Sequence, residues 1–518
     1  MSYPPPLCDE QLEILIAEIK DFQITHGSLL KLVKSDNEHT VLASPVGATL
    51  FPTLFPVTLF EEACQLQKLY NKLYTAVAED ESWLYNVLGE LIDIDPLANR
   101  IWTIYQEVKR EGFLQNLSLG VFRSDYMLHT CRSATSAVQL KQVEFNTIAC
   151  AGGTHGENIS AMHRHLQRTG LYEAHVESPS ISRQSILISR DMLPHNNVVR
   201  TISSGLASAH HTYGHVRSRE ATRKCILMIV QPFNFNIADE RPIEYALWDR
   251  DIPTFRVNWG YDILSHTSLT THGELLYCPP TWAESSTMEV SVVYFRAGFE
   301  AHEYDDMGHM ARFQLERSRA IKCPSLLSHL TTFKKVQQAL AMPGALDHFL
   351  APNEAAAISR TFAPIYPLDN SEMGLHAQNI VLNATEVKEY ILKPSLEGGG
   401  HNIYGEQITA FLEQNPRDEW HKYILMKRIQ SPFLKNFLMS AQRFYEGAVV
   451  SELGVFGVCL WEGTGKGAEI FEEQEPSWSF KTKDANVDEM SVVKGYGCFD
   501  SPALVDDETF ASSISADL

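Results

Sequence analysis

The chain has 518 residues, of which 44% are hydrophobic, and a formal net charge of -21 at pH 7. Its composition is typical of globular proteins, and its length predicts several lobes with separate cores. The acidic balance, with no dense Lys/Arg run, argues against nucleic acids and anionic membranes as partners, and no apolar run reaches the ~20 residues of a membrane span. An anionic small molecule stays possible, because a few lysines, backbone amides and Mg²⁺ can reverse the local field.

Hydrophobic periodicity alternates between helical and strand patterns along the chain. Two apolar strands, 224–236 and 288–300, end in polar residues, which is typical of α/β sheets that bind ligands at the carboxyl ends of their strands. In chain order, the predicted elements are helices over 9–36 and 59–92 with a Pro-rich loop at 44–56 between them, strands at 119–128, 141–149, 224–236 and 288–300, helical segments over 308–341 and 351–390, and strands at 423–429 and 449–461.

Nine cysteines are dispersed along the chain without a C-x-x-C pair, so a zinc ribbon is not expected. They predict mostly reduced, buried thiols in a cytosolic enzyme. The first residues, MSYPPPLCDE, lack a basic segment followed by an apolar one, and we therefore expect no signal peptide. The expected location is cytoplasmic, or secreted if a signal peptide has been removed.

The strand KQVEFNTIA (141–149) places apolar Val143 and Phe145 on one face and Glu144 and Asn146 on the other. A carboxylate and an amide oxygen are ligands that suit Mg²⁺.

The segment ILKPSLEGGGHNIYGEQI (391–408) combines Lys393 and Glu397 with Gly398, Gly399 and Gly400. Glycine lets the backbone approach a ligand and point several N–H groups at phosphate oxygens. A bare triple glycine would favour a surface turn, whereas the flanking pattern K-P-x-x-E-G-G-G-x-N-x-Y favours a phosphate loop. It is not a Walker loop, because no G-K-[ST] follows the glycines.

This segment resembles the glycine-rich loop of eukaryotic glutathione synthetase, an ATP-grasp enzyme, and the resemblance covers nearly the whole chain. Further stretches agree in the same order: RSDYM (123–127), KQVEFNTIA (141–149), HRH (163–165), VVYFRAGF (292–299), LERSRAIKCPS (315–325), KKVQQ (334–338), YILMKRI (423–429) and SELGVFGV (451–458).

The resemblance implies an α/β ATP-grasp fold, with ATP between two sheets, a glycine-rich lid, and a separate α/β substrate-binding domain. It also implies a homodimer that uses Mg²⁺ and ATP to join a γ-glutamyl dipeptide, γ-glutamylcysteine in the family, to glycine through an acyl phosphate. No protein nucleophile is then required, although Cys150 is close to the site in sequence. The expected domains are 1–200 (part of the ATP-grasp core with the Mg²⁺ and dipeptide site), 201–330 (substrate-binding domain) and 331–518 (the remainder, with the lid at about 355–430 and a substrate loop at 481–497).

Family roles are transferred only to matching positions. The implied metal ligands are Glu144, Asn146 and Glu397. The implied catalytic residues are Arg123, Lys334, Lys393 and Lys481. The implied nucleotide contacts are Glu144, Lys334, Lys393, Glu397, Gly398, Gly399, Gly400, Asn402, Tyr404, Met426, Lys427, Arg428, Ile429, Glu452, Lys483 and Glu489. The implied substrate contacts are Arg123, Ile148, Ala149, Cys150, Ala151, Asn234, Asn236, Glu240, Arg296, Phe299, Lys481, Val492 and Val493.

Departures from the family pattern cluster on the peptide side. The family has serines at Ala149 and Ala151 and a tyrosine at Phe299, so three hydroxyl groups are absent here. At Asn234 and Glu240 the family has Glu and Gln. Each lost hydrogen bond to a buried polar group costs about 1–3 kcal/mol.

The C-terminal substrate loop also departs from the family pattern. The family has an arginine at Lys481, and a lysine there keeps the charge but loses the planar fork. A family Gly-Gly-Val-Ala-Ala-Gly loop is replaced by EMSVVKG (489–495), which loses two glycines and gains Val492 and Val493.

Three interpretations follow. The chain is a glutathione synthetase with weakened or adjusted activity, a paralogue that ligates a different amine or γ-glutamyl acceptor, or a nucleotide-binding protein that no longer catalyses. The retained metal ligands and lysines argue against the third. Two histidine patterns, His211 with His215 and the HRH at 163–165, are interpreted as surface and packing residues rather than metal ligands.

Overall fold

The computed structural model describes residues 3–32, 41–130, 138–173, 186–280, 287–394, 401–441, 443–465 and 467–514. The helices in these ranges are α1 (Asp9–Thr25), α2 (Val57–Ala78), α3 (Glu81–Ile92), α4 (Pro96–Glu111), α5 (Gly153–Arg168), α6 (Val198–Thr212), α7 (Ile237–Trp248), α8 (Tyr261–His266), α9 (Asp306–Glu316), α10 (Leu326–Leu330), α11 (Lys334–Leu340), α12 (Pro352–Ser359), α13 (Glu372–Leu382), α14 (Gln407–Glu413) and α15 (Asp507–Ser513).

Strands alternate with these helices, as expected for the predicted α/β class. They are β1 (Leu29–Leu32), β2 (Leu42–Pro45), β3 (Ala48–Thr49), β4 (Thr53–Pro56), β5 (Leu117–Thr130), β6 (Val138–Asn146), β7 (Arg223–Val230), β8 (Thr254–Asn258), β9 (Thr267–Leu269), β10 (Leu275–Tyr277), β11 (Met288–Phe295), β12 (Ile321–Cys323), β13 (Ile365–Pro367), β14 (Tyr390–Pro394), β15 (Ile403–Tyr404), β16 (Tyr423–Lys427), β17 (Leu434–Met439), β18 (Phe444–Gly463), β19 (Ala468–Glu473), β20 (Ser477–Asp484), β21 (Cys498–Asp500) and β22 (Pro502–Val505).

Several predicted extents were wrong. The helix predicted over 9–36 ends at Thr25, where His26 is followed by Gly27 with φ +70°, and the chain enters β1. The last part of the predicted range, 33–36, lies outside the described residues. The helix predicted over 59–92 divides into α2 and α3, because the Asp80 carboxylate accepts a hydrogen bond from Trp83 N at 2.9 Å and starts a new helix.

Other predicted segments contain more strands than expected. The predicted loop at 44–56 contributes to β2, β3 and β4, the segment 308–341 contains β12 between helices, and 351–390 contains β13. These strands have two to four residues, and all except β2, which pairs with β1, have partners that are distant in sequence, so local periodicity does not reveal them.

One large sheet forms the centre of the molecule. Its longest strand, β18, has 20 residues and runs antiparallel to β5 and β20. A parallel half, with β12, β11, β7 and β8 in that order, continues from β5 through the pair Lys322 and Ser118. Residues 201–330, predicted as the substrate-binding domain, therefore share a hydrogen-bonded sheet with the core, while the predicted domain boundaries stay a prediction.

A second, four-stranded antiparallel sheet has the order β13, β16, β14, β15 and lies within the predicted lid. Helices α13 and α14 contribute to its separate core, with Ile380, Ile408 and Leu412 fully or almost fully buried. Lys393 on β14 reaches from this sheet to β6 of the large sheet, where its ammonium donates to Val143 O at 3.1 Å. The cleft between the two sheets is where the nucleotide is predicted to bind. In the part of the chain that the structure describes, no helix has the length and apolar character needed to cross a membrane.

Candidate functional site

The paired strands β5 and β6 place four polar side chains side by side. Arg123 is opposite Asn146, and Asp125 is opposite Glu144. A bulge between Asp125 and Tyr126 leaves Val143 as the extra residue, because Tyr126 is paired with Gln142. The Val143 carbonyl is the group that Lys393 contacts from the other sheet. The predicted polar face of this strand is thus the floor of the cleft.

Arg123 is held by a carboxylate of its own strand. Its Nε and Nη2 donate to the two oxygens of Asp125 at 2.6 and 2.7 Å, and its Nη1 donates to Ala151 O at 2.8 Å. Burial lowers the pKa of Arg123, but the Asp125 carboxylate outweighs this, and the pKa is raised above its ordinary value. The guanidinium is therefore a fixed cation beside the loop that follows β6.

Glu144 lies among lysines from separate elements. Lys334, the first residue of α11, has its Nζ at 3.7 Å from Glu144 Oε2. Burial raises the pKa of Glu144, yet Lys334, Lys393 and further cations lower it to about 2 overall. Glu144 is consequently ionised at neutral pH.

Lys393 is 4% exposed. Burial lowers its pKa to about 8, with Glu144 opposing and Lys334 adding to that effect. A lysine so far removed from water is typical of a position where an anionic ligand completes its environment.

The strands β18 and β20 continue this floor on the other side of β5, in the same sheet. Glu452 is paired in register with Lys481, and the Lys481 Nζ lies 2.5 Å from Glu452 Oε1. Burial raises the pKa of Glu452, with Lys481 opposing. Lys483, two residues further along, donates to the carbonyls of Val487 and Asp488, and so fixes the start of the predicted substrate loop.

The loop after β6 is held in an unusual conformation. Ala149 has φ +49°, in the left-handed region that costs a non-glycine residue about 1–2 kcal/mol. Gly152 N and Thr154 N donate to the two oxygens of Asp239 at 3.0 Å each, so this carboxylate from α7 caps α5. The same carboxylate accepts from Arg296 at 3.2 Å.

Arg296 is 5% exposed and already has partners within the chain. It donates to Asp239 and to Cys150 O, and its Nε lies 3.5 Å from Glu240 Oε1. Asn234 Nδ2 donates to the other Glu240 oxygen at 2.5 Å. These contacts hold Arg296, Asn234 and Glu240 together directly behind the loop.

The predicted substrate loop folds as a hairpin. Ser491 and Tyr496 exchange two backbone hydrogen bonds, of 2.9 and 2.8 Å. Val492 is 7% exposed and Val493 is 43% exposed. Ahead of the hairpin, the Glu489 carboxylate accepts from Asn402 N at 3.1 Å, which joins this loop to the segment after the glycines.

These elements enclose a cavity of about 310 Å³. Its lining brings together most of the predicted substrate contacts and four of the predicted nucleotide contacts. The predicted residues that line it are Arg123, Glu144, Asn146, Ile148, Ala149, Cys150, Ala151, Asn236, Phe299, Lys334, Asn402, Glu452, Lys481, Val492 and Val493. Asn234, Glu240 and Arg296 are not among the lining residues. Glu240 and Arg296 are buried, Asn234 is partly buried, and Glu240 contacts both of the others.

The predicted adenine strand is shorter than expected. Strand β16 ends at Lys427, and Arg428 and Ile429 follow it. The N–H groups of Lys427 and Arg428 donate to Pro364 O and Glu389 O, so these two donors are already used. Met426 is 2% exposed and Arg428 pairs with Asp488 at 2.8 Å.

Tyr404 completes this edge of the cleft. Its hydroxyl donates to Asp488 O at 3.3 Å, and the Arg428 guanidinium lies over its ring. Glu397, Gly398, Gly399 and Gly400 lie outside the described residues.

The residues of the cavity fit magnesium and a triphosphate. Glu144 is ionised and Asn146 donates its amide nitrogen to Asp125 at 3.1 Å, which leaves the amide oxygen as the ligating atom. Lys334 and Lys393 approach the same carboxylate and suit phosphate oxygens.

The sequence analysis did not assign two carboxylates that the structure places at the site. Asp125 holds Arg123 and Asn146, and Asp239 holds Arg296 and the start of α5. An R-x-D pattern on one strand, which puts both side chains on the same face, was a readable signal for Asp125. No local signal links Asp239 to α5.

The structure also places the cysteines and histidines that the sequence analysis considered. Five of the eight described cysteines are buried, and no two of these eight form a disulfide. His163 is fully buried in α5, His165 is exposed, and His211 and His215 are exposed. Within the described ranges, no group of three or more His, Cys, Asp or Glu side chains is arranged to hold a metal.

Comparisons with known proteins agree over most of the chain. The family model for the eukaryotic glutathione synthase ATP-binding domain matches residues 9–504. The glutathione synthetase large chain of Schizosaccharomyces pombe is 33% identical over 96% of this chain and 98% of its own length. The human glutathione synthetase is 35% identical over 87% and 88%.

A solved structure confirms the predicted fold. A glutathione synthetase-like effector of Globodera pallida, in its apo form, superposes with a TM-score of 0.71 and 20% identity over 97% of this chain and 100% of its own. The fold is therefore the ATP-grasp fold of this group. On the family match and these identities, the chain belongs to the eukaryotic glutathione synthase family.

Proposed function

We propose that this chain joins γ-glutamylcysteine to glycine with Mg²⁺ and ATP, through an acyl phosphate. The chain is an ATP-dependent ligase by family, with ATP and Mg²⁺ as the cofactors of that family. In the proposed reaction the cysteinyl carboxylate attacks the γ-phosphorus and releases ADP. The amine of glycine then attacks the acyl carbon, an amide bond forms, and phosphate and a proton leave.

The observation that carries the proposal is the charge of the cleft. Four cations, Arg123, Lys334, Lys393 and Lys481, face three carboxylates, Asp125, Glu144 and Glu452, which leaves one positive charge in excess. The whole chain, in contrast, carries a net charge of -21. A locally positive, partly buried cleft in an acidic protein favours a polyanion such as a triphosphate.

The catalytic work proposed for these residues is alignment and charge neutralisation. Lys334 and Lys393 would bind phosphate oxygens, and Glu144 with Asn146 would hold Mg²⁺. Magnesium, when bound, screens the phosphate charges. Arg123 donates three of its five N–H groups to Asp125 and Ala151 O, so two N–H groups remain for a substrate carboxylate. Glu397 and the three glycines are proposed as the remaining ligand and the lid.

A second candidate, ligation of a different amine or γ-glutamyl acceptor, is favoured by the lining of the cavity. Ala149, Ala151 and Phe299 present apolar surface where the family has hydroxyl groups, and Val492 and Val493 line the loop side of the cavity. Loss of catalysis, the third interpretation, is disfavoured by the intact set of cations and oxygen ligands. A homodimer in the cytoplasm is proposed from the family.

Phosphate release from Mg-ATP with γ-glutamylcysteine and a panel of amines, glycine included, tests these candidates. Release with glycine supports glutathione synthesis, and release only with another amine supports the second candidate. No release with any amine or γ-glutamyl peptide would contradict both.

A variant that reinstates the side chains typical of the family distinguishes weakened activity with glycine from altered substrate specificity. Ala149→Ser, Ala151→Ser, Phe299→Tyr and Lys481→Arg together should raise kcat/KM for glycine by about tenfold or more if several hydrogen bonds are restored. Tyr245→Phe, on the exposed side of α7, is the matched control. An unchanged kcat/KM would favour a pocket adapted to another substrate.

A further inference from the structure

A second cavity, of about 520 Å³, lies at the carboxyl edge of three neighbouring parallel strands. Gln231, Pro232 and Phe233 follow β7, and Trp259 follows β8. The remaining lining residues lie within 302–307, in the segment that follows β11, and β11 pairs with β7. Ligands of open α/β sheets bind at such edges, and the volume is in the range of small-molecule sites.

Hydrogen bonds and close packing hold one wall of this cavity in place. Trp259 is 8% exposed, and its indole N–H donates to Glu303 O at 2.6 Å. Gly298, with φ +82°, allows the ring to pack against the backbone, because an added Cβ would lie 2.3 Å from the indole. The Glu303 carboxylate in turn accepts from Phe299 N and Glu300 N at 2.9 Å each. Phe299 lines the substrate cavity, so the two cavities share this turn.

The lining combines aromatic rings with negative charge. Phe233 is 77% exposed and Tyr261 is 67% exposed, an unusual degree of exposure for large aromatic side chains, and both line the cavity together with Trp259. Glu303 and Asp305 add two carboxylates, and the lining residues that the structure describes include no lysine or arginine. His302, which also lines the cavity, is 2.9 Å from the Glu300 carboxylate, which offsets its charge when it is protonated.

We propose that this cavity binds an organic ammonium group, held over the aromatic rings by cation–π attraction and by the field of the two carboxylates. Aromatic rings beside carboxylates recognise ammonium ions in this way, and the rings favour a weakly hydrated cation. The site is separate from the nucleotide cleft. It does not depend on the identity of the ligase substrates.

The test uses choline as the ammonium probe and 3,3-dimethylbutan-1-ol, its uncharged isostere, as the matched ligand. Binding to the full chain is measured by isothermal titration calorimetry and by saturation-transfer NMR. The test variant is Phe233→Ala with Tyr261→Ala, two exposed positions whose truncation leaves the core intact. Tyr245→Ala, an equally aromatic position that is 56% exposed and outside the cavity, is the control.

Choline should bind the wild type and Tyr245→Ala with equal affinity, and the double variant about tenfold more weakly or worse. The alcohol should also bind the wild type about tenfold more weakly, because it lacks the charge. The proposal is overturned if choline shows no saturable binding, if the alcohol binds as well as choline, or if the double variant binds choline normally.

Discussion

Replacing Lys393 by methionine is expected to stabilise the protein without nucleotide and to weaken ATP binding. Burial lowers the pKa of this lysine from 10.5 to about 8, and at about 1.4 kcal/mol per pKa unit the charged form costs the folded state about 3 kcal/mol. Losing the hydrogen bond to Val143 O costs about 1 kcal/mol. The attraction between Lys393 and Glu144 is already contained in the lowered pKa, so the expected net gain is about 2 kcal/mol.

The pH dependence of this gain follows from the direction of the shift. Because the pKa is lower in the folded protein, the folded protein binds fewer protons between about pH 8 and pH 10.5 than the unfolded chain does. The free-energy cost of burying the charged Lys393 in the folded protein is complete below about pH 8 and decreases as the pH rises towards 10.5. The stability difference between Lys393→Met and wild type should therefore shrink over that interval.

Urea unfolding at about pH 7 and about pH 10 measures this difference, and calorimetric titration measures Mg-ATP affinity. Lys435→Met, at an exposed position of β17, is the control and should change stability by less than about 0.5 kcal/mol. ATP affinity should fall about 10- to 100-fold in Lys393→Met, since one charge-assisted contact is lost. A destabilised variant at neutral pH, or one that binds Mg-ATP normally, would refute the reasoning.

Three further changes test other parts of the site. Ala149→Gly should raise the free energy of unfolding by about 1 kcal/mol, because glycine adopts the positive φ without strain; lower stability would show that the loop is not strained. Asp239→Ala should lower it by about 3–5 kcal/mol, because the buried Arg296 loses one of its two carboxylate partners and the N–H groups of Gly152 and Thr154 lose their acceptor. Adding Arg296→Met should recover part of that loss, and no recovery would argue against the ion pair as the cause. Glu144→Gln should remove Mg²⁺-dependent phosphate release while the circular dichroism spectrum is unchanged; retained release would exclude Glu144 as a metal ligand.

The polar face of β6 was predictable because strand alternation is a local property. Val143 and Glu144 point to opposite faces whatever the rest of the chain does. The partners of this face were not predictable, since they depend on register. The bulge at Val143 decides that Glu144, rather than a neighbour, is opposite Asp125.

The neutralisation of Arg296 depends on topology. Asp239 and Glu240 start α7, and only the packing of α7 against α5 brings them to an arginine at the end of β11. The sequence analysis assigned Arg296 to substrate binding, whereas in the structure Arg296 forms ion pairs with carboxylates of its own chain.

Some errors in element extent were avoidable. His26 and Gly27 are a local signal for the end of α1, since glycine readily adopts the positive φ that terminates a helix. Asp80 likewise marks the start of α3 as an N-cap residue. The short strand β3, in contrast, exists through pairing with β17 and β21, which no local window contains.

A crystal structure with Mg²⁺ and a non-hydrolysable ATP analogue tests the central claim most directly. The account predicts the triphosphate between the two sheets, with its oxygens on Lys334 and Lys393 and the metal on Glu144 and Asn146. A nucleotide bound elsewhere, or a metal coordinated without either of those two side chains, would contradict it.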